Sequence, residues 1–227
     1  MKKIGLLGGI SWTSTIEYYK YINEGINHKL GDLNFAECII YSLNFGDVQE
    51  KGWINSFSLL LNACEILKKS GAEAIVLCAN TAHLFADKLQ DKVELPIISI
   101  VSATANAVHK QGIKKVGLLG TKVTMEMDFY KHELIKGSIE VLIPEQQTTR
   151  DYIQETLKNE LGKGIIKSET KTAYIAIANE LIANGAEGII FGCTEIPLIL
   201  NSIDISVPVF DTTKIHSAAA VEFALSA

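Results

Sequence analysis

The sequence has few of the residues that mark metal sites, disulfide frameworks or nucleic-acid surfaces. Only four of its 227 residues are cysteines. None stands in a CxxC pair or at the spacing of metal ligands, so we expect reduced thiols and no metal site. The net charge is −5, and the lysines and arginines are scattered rather than clustered, which disfavours a nucleic-acid partner. No apolar run approaches the roughly 18 residues that span a bilayer, so we predict a cytoplasmic chain without a membrane partner.

The composition that remains is that of a chain with a large packed core. Hydrophobic residues make up 48% and charged residues 21% of the sequence, a balance that excludes a disordered chain. The length suits one large domain or two small ones. The opening MKKIGLLGG has an apolar stretch of only about six residues that breaks at Gly8 and Gly9, so we interpret it as a first strand rather than a signal peptide.

The chain repeats itself. Three segments of the first half return in order in the second half, at offsets of 112 to 114 residues: KIGLLGG (3–9) as KVGLLGT (115–121), GAEAIVLCANT (71–81) as GAEGIIFGCTE (185–195), and LPIISI (95–100) as VPVFDT (207–212). Each is a short β-branched apolar run, as in strands that are buried on both faces of a parallel sheet. One such match would mean little, but three in order indicate an internal duplication.

Helical patterns lie between these runs. They are predicted over residues 14–27, 53–69 and 170–184, and the first of them has an apolar face formed by Ile16, Tyr19, Ile22 and Ile26.

The alternation of strands and helices predicts an α/β fold. We expect two pseudo-symmetric, doubly wound βα domains with parallel sheets and an active site in the cleft between them. The N-terminal domain is predicted over residues 1–102 plus 209–227, and the C-terminal domain over residues 103–208.

Ligands of open α/β sheets bind beyond the carboxyl ends of the strands. Small hydroxyl and amide residues dominate the predicted ends, and helix starts follow them, which suits a small anionic ligand. The ends are residues 8–11, 42–44, 78–81, 99, 120–121, 193–195 and 211–213. GLLGGIS does not fit the GxGxxG pattern, and no Walker lysine follows it, so a nucleotide site is disfavoured.

Four motifs carry a family resemblance that spans essentially the whole chain. They are GGISWTSTIEYYKYIN (8–23), NTAH (80–83), GCTEIPL (192–198) and DTTKIHSAAAVEFAL (211–225). They resemble motifs of the cofactor-independent aspartate/glutamate racemases. The resemblance implies an isomerase that interconverts the L and D forms of an acidic amino acid without pyridoxal phosphate, metal or other cofactor. It also implies a possible homodimer.

In that family two cysteines, one from each half, stand on opposite faces of the substrate Cα atom. One thiolate removes the proton and the other thiol delivers one. By this resemblance Cys193 is a catalytic acid/base. Because it precedes a predicted helix start, we expect the helix N-terminus to lower its pKa from the usual ~8.5.

The first cysteine of the family pattern is absent. Ala79 occupies its position and aligns with Cys193 in the internal repeat, while Cys78 lies one residue earlier. Neighbouring side chains of a strand point to opposite faces, so Cys78 would need a turn of the backbone to act in its place. The other candidates for the second acid/base are Thr81, His83 and Ser11. Two alternatives remain open: a single-cysteine, decarboxylase-like lyase acting on a malonate-type diacid, and a weakly active amino-acid-binding relic.

The resemblance also implies a set of substrate contacts. The α-amino and α-carboxylate groups are expected to contact Ser11, Asn80, Thr81, Thr121, Thr194 and Glu195. Gln49, in the predicted loop after the SLNF strand, and Lys163, in ELGKG, are candidates for the side-chain carboxylate. For Lys163 a solvated surface position is the alternative.

Overall fold

The computed structural model describes residues 1–227 and contains eight strands and ten α-helices. The strands are β1 (Ile4–Gly8), β2 (Cys38–Ser42), β3 (Ala74–Leu77), β4 (Ile97–Ile98), β5 (Lys115–Gly120), β6 (Glu140–Leu142), β7 (Gly188–Gly192) and β8 (Val209–Asp211). The helices are α1 (Trp12–Leu30), α2 (Phe45–Lys51), α3 (Phe57–Lys69), α4 (Ala86–Val93), α5 (Ile100–Lys110), α6 (Lys122–Glu126), α7 (Asp128–Lys136), α8 (Gln147–Asn159), α9 (Ser168–Ala183) and α10 (Thr212–Leu225). None of these helices combines the length and the apolar character that a membrane span requires.

The chain divides into two compact units. The first contains Met1–Ile100 and Thr213–Ala227, and the second contains Val101–Thr212. From the sequence, the boundaries are predicted at residues 102 and 209, a few residues away from these.

The first unit is built on a four-stranded sheet in the order β2-β1-β3-β4, and all three strand pairs are parallel. The central strands β1 and β3 are buried along their whole length. This burial explains their unbroken apolar sequences, because helices cover both faces of a parallel sheet.

The second unit has a sheet in the order β6-β5-β7-β8, again with only parallel pairs. If the strands of each unit are numbered from one, both sheets have the order 2-1-3-4. The predicted fold class, two α/β domains with parallel sheets, is confirmed, and the sequence repeat corresponds to a repeat of topology.

Helix α1 covers the predicted helix over residues 14–27, but its buried face differs from the prediction. Tyr18, Ile22 and Ile26 are fully buried, whereas Ile16 and Tyr19 are 53% and 49% exposed. The buried residues follow the i, i+4, i+8 spacing of one helix face. The prediction was therefore wrong for Ile16 and Tyr19, because two apolar stripes run along this helix and periodicity alone does not decide which one packs.

The helix predicted over residues 53–69 begins later than expected. Trp53–Asn55 forms a separate 3₁₀ turn, and α3 begins at Phe57. The predicted end is confirmed: Ser70 is the C-cap, and Gly71 follows with a φ of +93°, a conformation that favours glycine. Likewise α9 ends at Ala183, directly before Asn184 and Gly185.

Candidate active site

The first loop of the candidate site follows β1. The Gly9 amide donates a 2.9 Å hydrogen bond to Thr15 Oγ1. Gly9 has a φ of +81°, and a Cβ atom there would clash with the Leu43 backbone, so only glycine fits this turn. The turn delivers Ser11 to the N-cap of α1, where its hydroxyl accepts a hydrogen bond from the Ser14 amide. A half-buried hydroxyl at a helix N-terminus is suited to an anionic ligand.

The second loop follows β3 and contains Ala79, Asn80 and Thr81. Asn80 and Thr81 are buried, and Thr81 opens a 3₁₀ helix that ends at Phe85. Ala79 is 8% exposed and brings no titratable group to this position.

The structure places the Cys78 side chain in the apolar core. It is fully buried in a cluster with residues that include Ile4, Leu6 and Val76, and its thiol has a long hydrogen bond of 3.7 Å to the Val76 carbonyl. Burial raises its pKa far above the ordinary value of a thiol. The position does not fit the prediction that Cys78 is catalytic, because the backbone does not turn the sulfur away from the core.

His83 is buried, and both of its ring nitrogens already have partners. Nδ1 lies 2.9 Å from the Ala79 carbonyl oxygen, and Nε2 lies 3.1 Å from the Ile100 amide nitrogen. Burial lowers the pKa of its imidazole to about 4, against the opposing effect of backbone hydrogen bonds. Since neither nitrogen is available, the ring is poorly placed to be the second proton carrier.

In the second unit, three consecutive residues after β7 form a polar cluster. The Cys193 thiol donates a 2.9 Å hydrogen bond to Glu195 Oε2, and the Thr194 hydroxyl donates a 3.0 Å hydrogen bond to the same oxygen. The Glu195 side chain is buried, and Cys193 and Thr194 are half-buried. The carboxylate is therefore held against the thiol, and Thr194 fixes its orientation.

The expected lowering of the Cys193 pKa was wrong. Burial is the main cause that raises it well above the ordinary value, and the charge and hydrogen bond of Glu195 raise it further. Backbone N–H groups of Glu195 and Thr194 lower the pKa, but by less. The segment that follows is only a three-residue 3₁₀ turn, Ile196–Leu198, so no α-helix begins directly after the thiol.

Strands β5 and β7 are paired up to their carboxyl ends, where Gly120 is the register partner of Gly192. A Cβ atom on Gly120 would stand 2.8 Å from the Gly192 carbonyl oxygen, so the glycine permits this approach. Thr121 follows as the N-cap of α6, and its hydroxyl accepts a 3.2 Å hydrogen bond from the Thr124 amide. The second unit thus brings Thr121 to a strand end next to the one that carries Cys193.

Gln49 and Lys163 lie on exposed surfaces. Gln49 belongs to α2 rather than to a loop, since Asn44 caps a helix over Phe45–Lys51. Lys163 ends a 3₁₀ turn, Leu161–Lys163, and its side chain is exposed. No group of three histidine, cysteine, aspartate or glutamate side chains is arranged to hold a metal ion.

Sequence reasoning missed two relationships. Glu195 is predicted as a substrate contact, but its carboxylate accepts a hydrogen bond from the Cys193 thiol. The C-x-E spacing is the only signal of this pair in the sequence. The ring contact of His83 with His216, and the hydrogen bond between His216 and Tyr18, join residues that are far apart along the chain, so no local pattern indicates them.

The protein belongs to the class of duplicated α/β proteins. Its candidate acid/base pair, a thiol and a carboxylate, lies at the carboxyl end of a central strand. Comparison with known proteins identifies the family within that class. The family model described as Asp/Glu/hydantoin racemase matches residues 7–220. The chain belongs to the Asp/Glu/hydantoin racemase family.

Individual relatives agree with this assignment. The crystal structure of a candidate Asp/Glu racemase from Yersinia pestis is 47% identical, with a TM-score of 0.91 and coverage of 100% of both chains. An aspartate racemase homologue from Pyrococcus horikoshii OT3 is 38% identical, with a TM-score of 0.84 and the same coverage. RacX of Bacillus subtilis strain 168, a broad specificity amino-acid racemase, is 24% identical over 92% of each chain.

Proposed function

We propose that this protein racemises an acidic amino acid, aspartate or glutamate, without a cofactor, and that Cys193 is one of the two acid/base groups. The observation that carries the proposal is the 2.9 Å hydrogen bond from the Cys193 thiol to Glu195. A neutral thiol is not a base, and the raised pKa of Cys193 keeps it protonated at rest. The carboxylate provides the acceptor that the thiol needs.

The proton transfer proceeds in two steps. Glu195 Oε2 takes the proton from Sγ, and the resulting thiolate takes the proton from the substrate Cα atom. Between the two steps the protonated carboxyl donates a hydrogen bond to the thiolate, so the pair carries one negative charge until the thiolate accepts the Cα proton. In the opposite direction the steps run in reverse from the state in which both Sγ and Glu195 hold a proton: the thiol protonates Cα, and Glu195 then gives its proton to the thiolate, which restores the neutral thiol and the carboxylate.

The group for the other face of Cα is proposed to come from the first unit. Ala79 has no titratable group, Cys78 lies in the core and His83 has both nitrogens occupied. Thr81 is the remaining candidate in this segment, acting directly or through a water molecule, and Ser11 is the alternative. A hydroxyl is a far weaker acid than a thiol, so we expect proton exchange to be faster for the enantiomer whose Cα proton faces Cys193.

Substrate binding is assigned to hydroxyl and amide groups at the strand ends. Ser11 and Thr121 lie at helix N-caps, where backbone amides favour a carboxylate. Asn80, Thr81 and Thr194 are the further proposed contacts, while Gln49 and Lys163 are proposed for the side-chain carboxylate. Donors arranged in this way stabilise the charge that develops on the α-carboxylate when the Cα proton leaves.

Incubation with single enantiomers tests the proposal, with products separated by chiral chromatography. The panel includes L- and D-aspartate and glutamate, several neutral amino acids, and a 5-substituted hydantoin, since the family description names hydantoins. Interconversion of aspartate or glutamate without added cofactor supports the proposal. Activity confined to neutral amino acids or hydantoins contradicts the acidic substrate.

The replacement of the first family cysteine by Ala79 favours one second candidate, a single-thiol lyase on a malonate-type diacid. Release of carbon dioxide from such diacids, with no inversion of any amino acid, would select it. Thermal stabilisation by aspartate without any turnover would instead indicate an amino-acid-binding relic.

A further inference from the structure

The first unit contains a buried polar network that the proposed chemistry does not use. Tyr18 of α1 donates a 2.8 Å hydrogen bond to His216 Nδ1, and His216 Nε2 donates a 2.7 Å hydrogen bond to the Ile98 carbonyl. The His216 and His83 rings meet edge to face, with centroids 5.3 Å apart. All three side chains are buried.

The partners of each ring fix its tautomer. A carbonyl oxygen can only accept and a backbone amide can only donate. His83 therefore carries its proton on Nδ1, facing Ala79, and accepts from the Ile100 amide at Nε2. His216 carries its proton on Nε2, facing Ile98, and accepts from Tyr18 at Nδ1. Both imidazoles are neutral, with every nitrogen satisfied.

The backbone atoms that these rings hold lie at the candidate site. Ala79 directly precedes Asn80 and Thr81, the proposed substrate contacts. A backbone hydrogen bond of 3.0 Å from the His83 amide to the Asn80 carbonyl closes the same turn. Ile98 ends β4 and Ile100 begins α5, so the imidazoles join the ends of β3 and β4.

We infer that His83 is a positioning residue, which holds the segment of Asn80 and Thr81 in its binding conformation by clamping the Ala79 carbonyl to the Ile100 amide. His216, itself oriented by Tyr18, supports the His83 ring from α10. The inference rests on the proposed function, because it assigns Asn80 and Thr81 to the substrate. Plain core packing is the competing explanation, and it predicts that the polar atoms of the ring matter only for stability.

Two amide variants test the two hydrogen bonds of the His83 ring one at a time. The amide of His83→Asn can reach the position of Nδ1 and keep the bond to Ala79, but it loses the acceptor for Ile100. The amide of His83→Gln can reach the position of Nε2 and keep that acceptor, but it loses the bond to Ala79. His83→Leu removes both. His28→Gln is the matched control, since His28 is exposed on α1 of the same unit.

The readout is the split between KM and kcat for the acidic amino acid. Losing one hydrogen bond that holds the binding segment should raise KM about three- to tenfold. The change in kcat should be smaller, because these contacts serve the ground state and the transition state alike. His83→Leu should have the largest KM, and His28→Gln that of the wild type. Folded His83 variants with a lower Tm and an unchanged KM would overturn the inference.

A measurement on the wild-type protein tests the inference even if the His83 variants fail to fold. Nitrogen-15 shifts of the imidazoles should show an Nδ1–H tautomer for His83 and an Nε2–H tautomer for His216. Addition of aspartate should shift the His83 ring and the Ala79–Thr81 amides. A different tautomer, or saturating aspartate without any such shift, would overturn the inference. A wild-type protein that binds aspartate with these shifts but turns over no substrate would leave the inference standing and reject the proposed function.

Discussion

The Cys193 Sγ atom and the Glu195 Oε2 atom lie 2.9 Å apart and share one hydrogen bond. This pair replaces the free thiolate that the position of Cys193 in the sequence suggests. Because the half-buried thiol is removed from much of the solvent and lies beside a carboxylate, its pKa is raised rather than lowered. In the proposed mechanism the carboxylate is the proton acceptor of the thiol, so variants of Glu195 are more informative than variants of the cysteine alone.

Replacing Glu195 with glutamine should separate acidity from catalysis. Glu195→Gln removes the charge that raises the Cys193 pKa, so iodoacetamide should alkylate Cys193 faster at a fixed pH. Turnover should nevertheless fall by about 10²-fold or more, since a positioned general base contributes about 10²- to 10⁴-fold. Peptide mass spectrometry follows alkylation at Cys193, and chiral chromatography follows turnover.

Glu180→Gln on the exposed surface of α9 is the control for Glu195→Gln, and it should change neither rate. Slower alkylation of Cys193 in Glu195→Gln would show that the carboxylate does not hold the thiol protonated.

Restoring a thiol at the position of Ala79 should speed inversion. Ala79 aligns with Cys193 in the internal repeat and lies just beyond the end of β3. A thiol there ionises far more readily than a hydroxyl, so Ala79→Cys should raise the rate of inversion relative to the rate of proton exchange. Both rates can be measured together by chiral chromatography and proton NMR in D₂O. Ala86→Cys, farther along the same segment, serves as the control. An unchanged ratio of inversion to proton exchange would contradict the proposal that the second acid/base is a weakly acidic group of the first unit.

Cys78→Ala should remain active. The side chain is fully buried among apolar residues, so its loss should cost stability, about 1 kcal/mol for the small cavity that it leaves. Urea unfolding measures that cost, and the racemisation assay measures the activity. Loss of turnover in a Cys78→Ala protein that remains folded would restore Cys78 as a catalytic candidate.

The two buried histidines predict a loss of stability in mild acid. Burial lowers the pKa to about 4 for His83 and to about 3 for His216 in the folded protein, whereas an unfolded histidine titrates near 6.5. Between pH 6.5 and 4 the unfolded chain therefore binds more protons than the folded one. The free energy of unfolding should fall as the pH falls through this window, by at most about 1.4 kcal/mol per pH unit and residue.

His83→Gln removes one of these groups and should make the pH dependence of stability shallower. Urea denaturation at several pH values between 7 and 4 compares the variant with the wild type and with His28→Gln. Identical slopes would mean that His83 titrates with the same pKa in the folded and the unfolded protein, contrary to its burial.

The duplicated fold can be predicted from the sequence, because strands that are buried on both faces have continuous apolar sequences. The glycine that follows α3 or α9 marks the end of each helix. Which stripe of α1 packs is not readable: Tyr18 and Tyr19 are chemically alike, and only the sheet beneath them selects Tyr18. The short strand β6, with the sequence EVL and no fully buried residue, leaves too weak a pattern to predict.

The sequence predicts which chemical groups lie at the site but not how they interact. Cys193 and its neighbours stand at a strand end that the repeat identifies. The sign of the pKa shift at Cys193 is not predictable, since it depends on the burial of the sulfur and on the rotamer that brings Glu195 within 2.9 Å. The His83 clamp likewise requires Ile100 and His216, which only the tertiary fold brings to it.

Proton NMR in D₂O tests the central claim most directly, by following the Cα proton of L- and D-aspartate and glutamate with the wild-type protein and with Cys193→Ser. We predict that the wild type replaces this proton with deuterium for at least one of these acids, without added cofactor, and that Cys193→Ser is slower by about 10³-fold. A Cys193→Ser protein that exchanges at the wild-type rate, or a wild type that exchanges none of the four, would contradict the assignment of Cys193 as the acid/base.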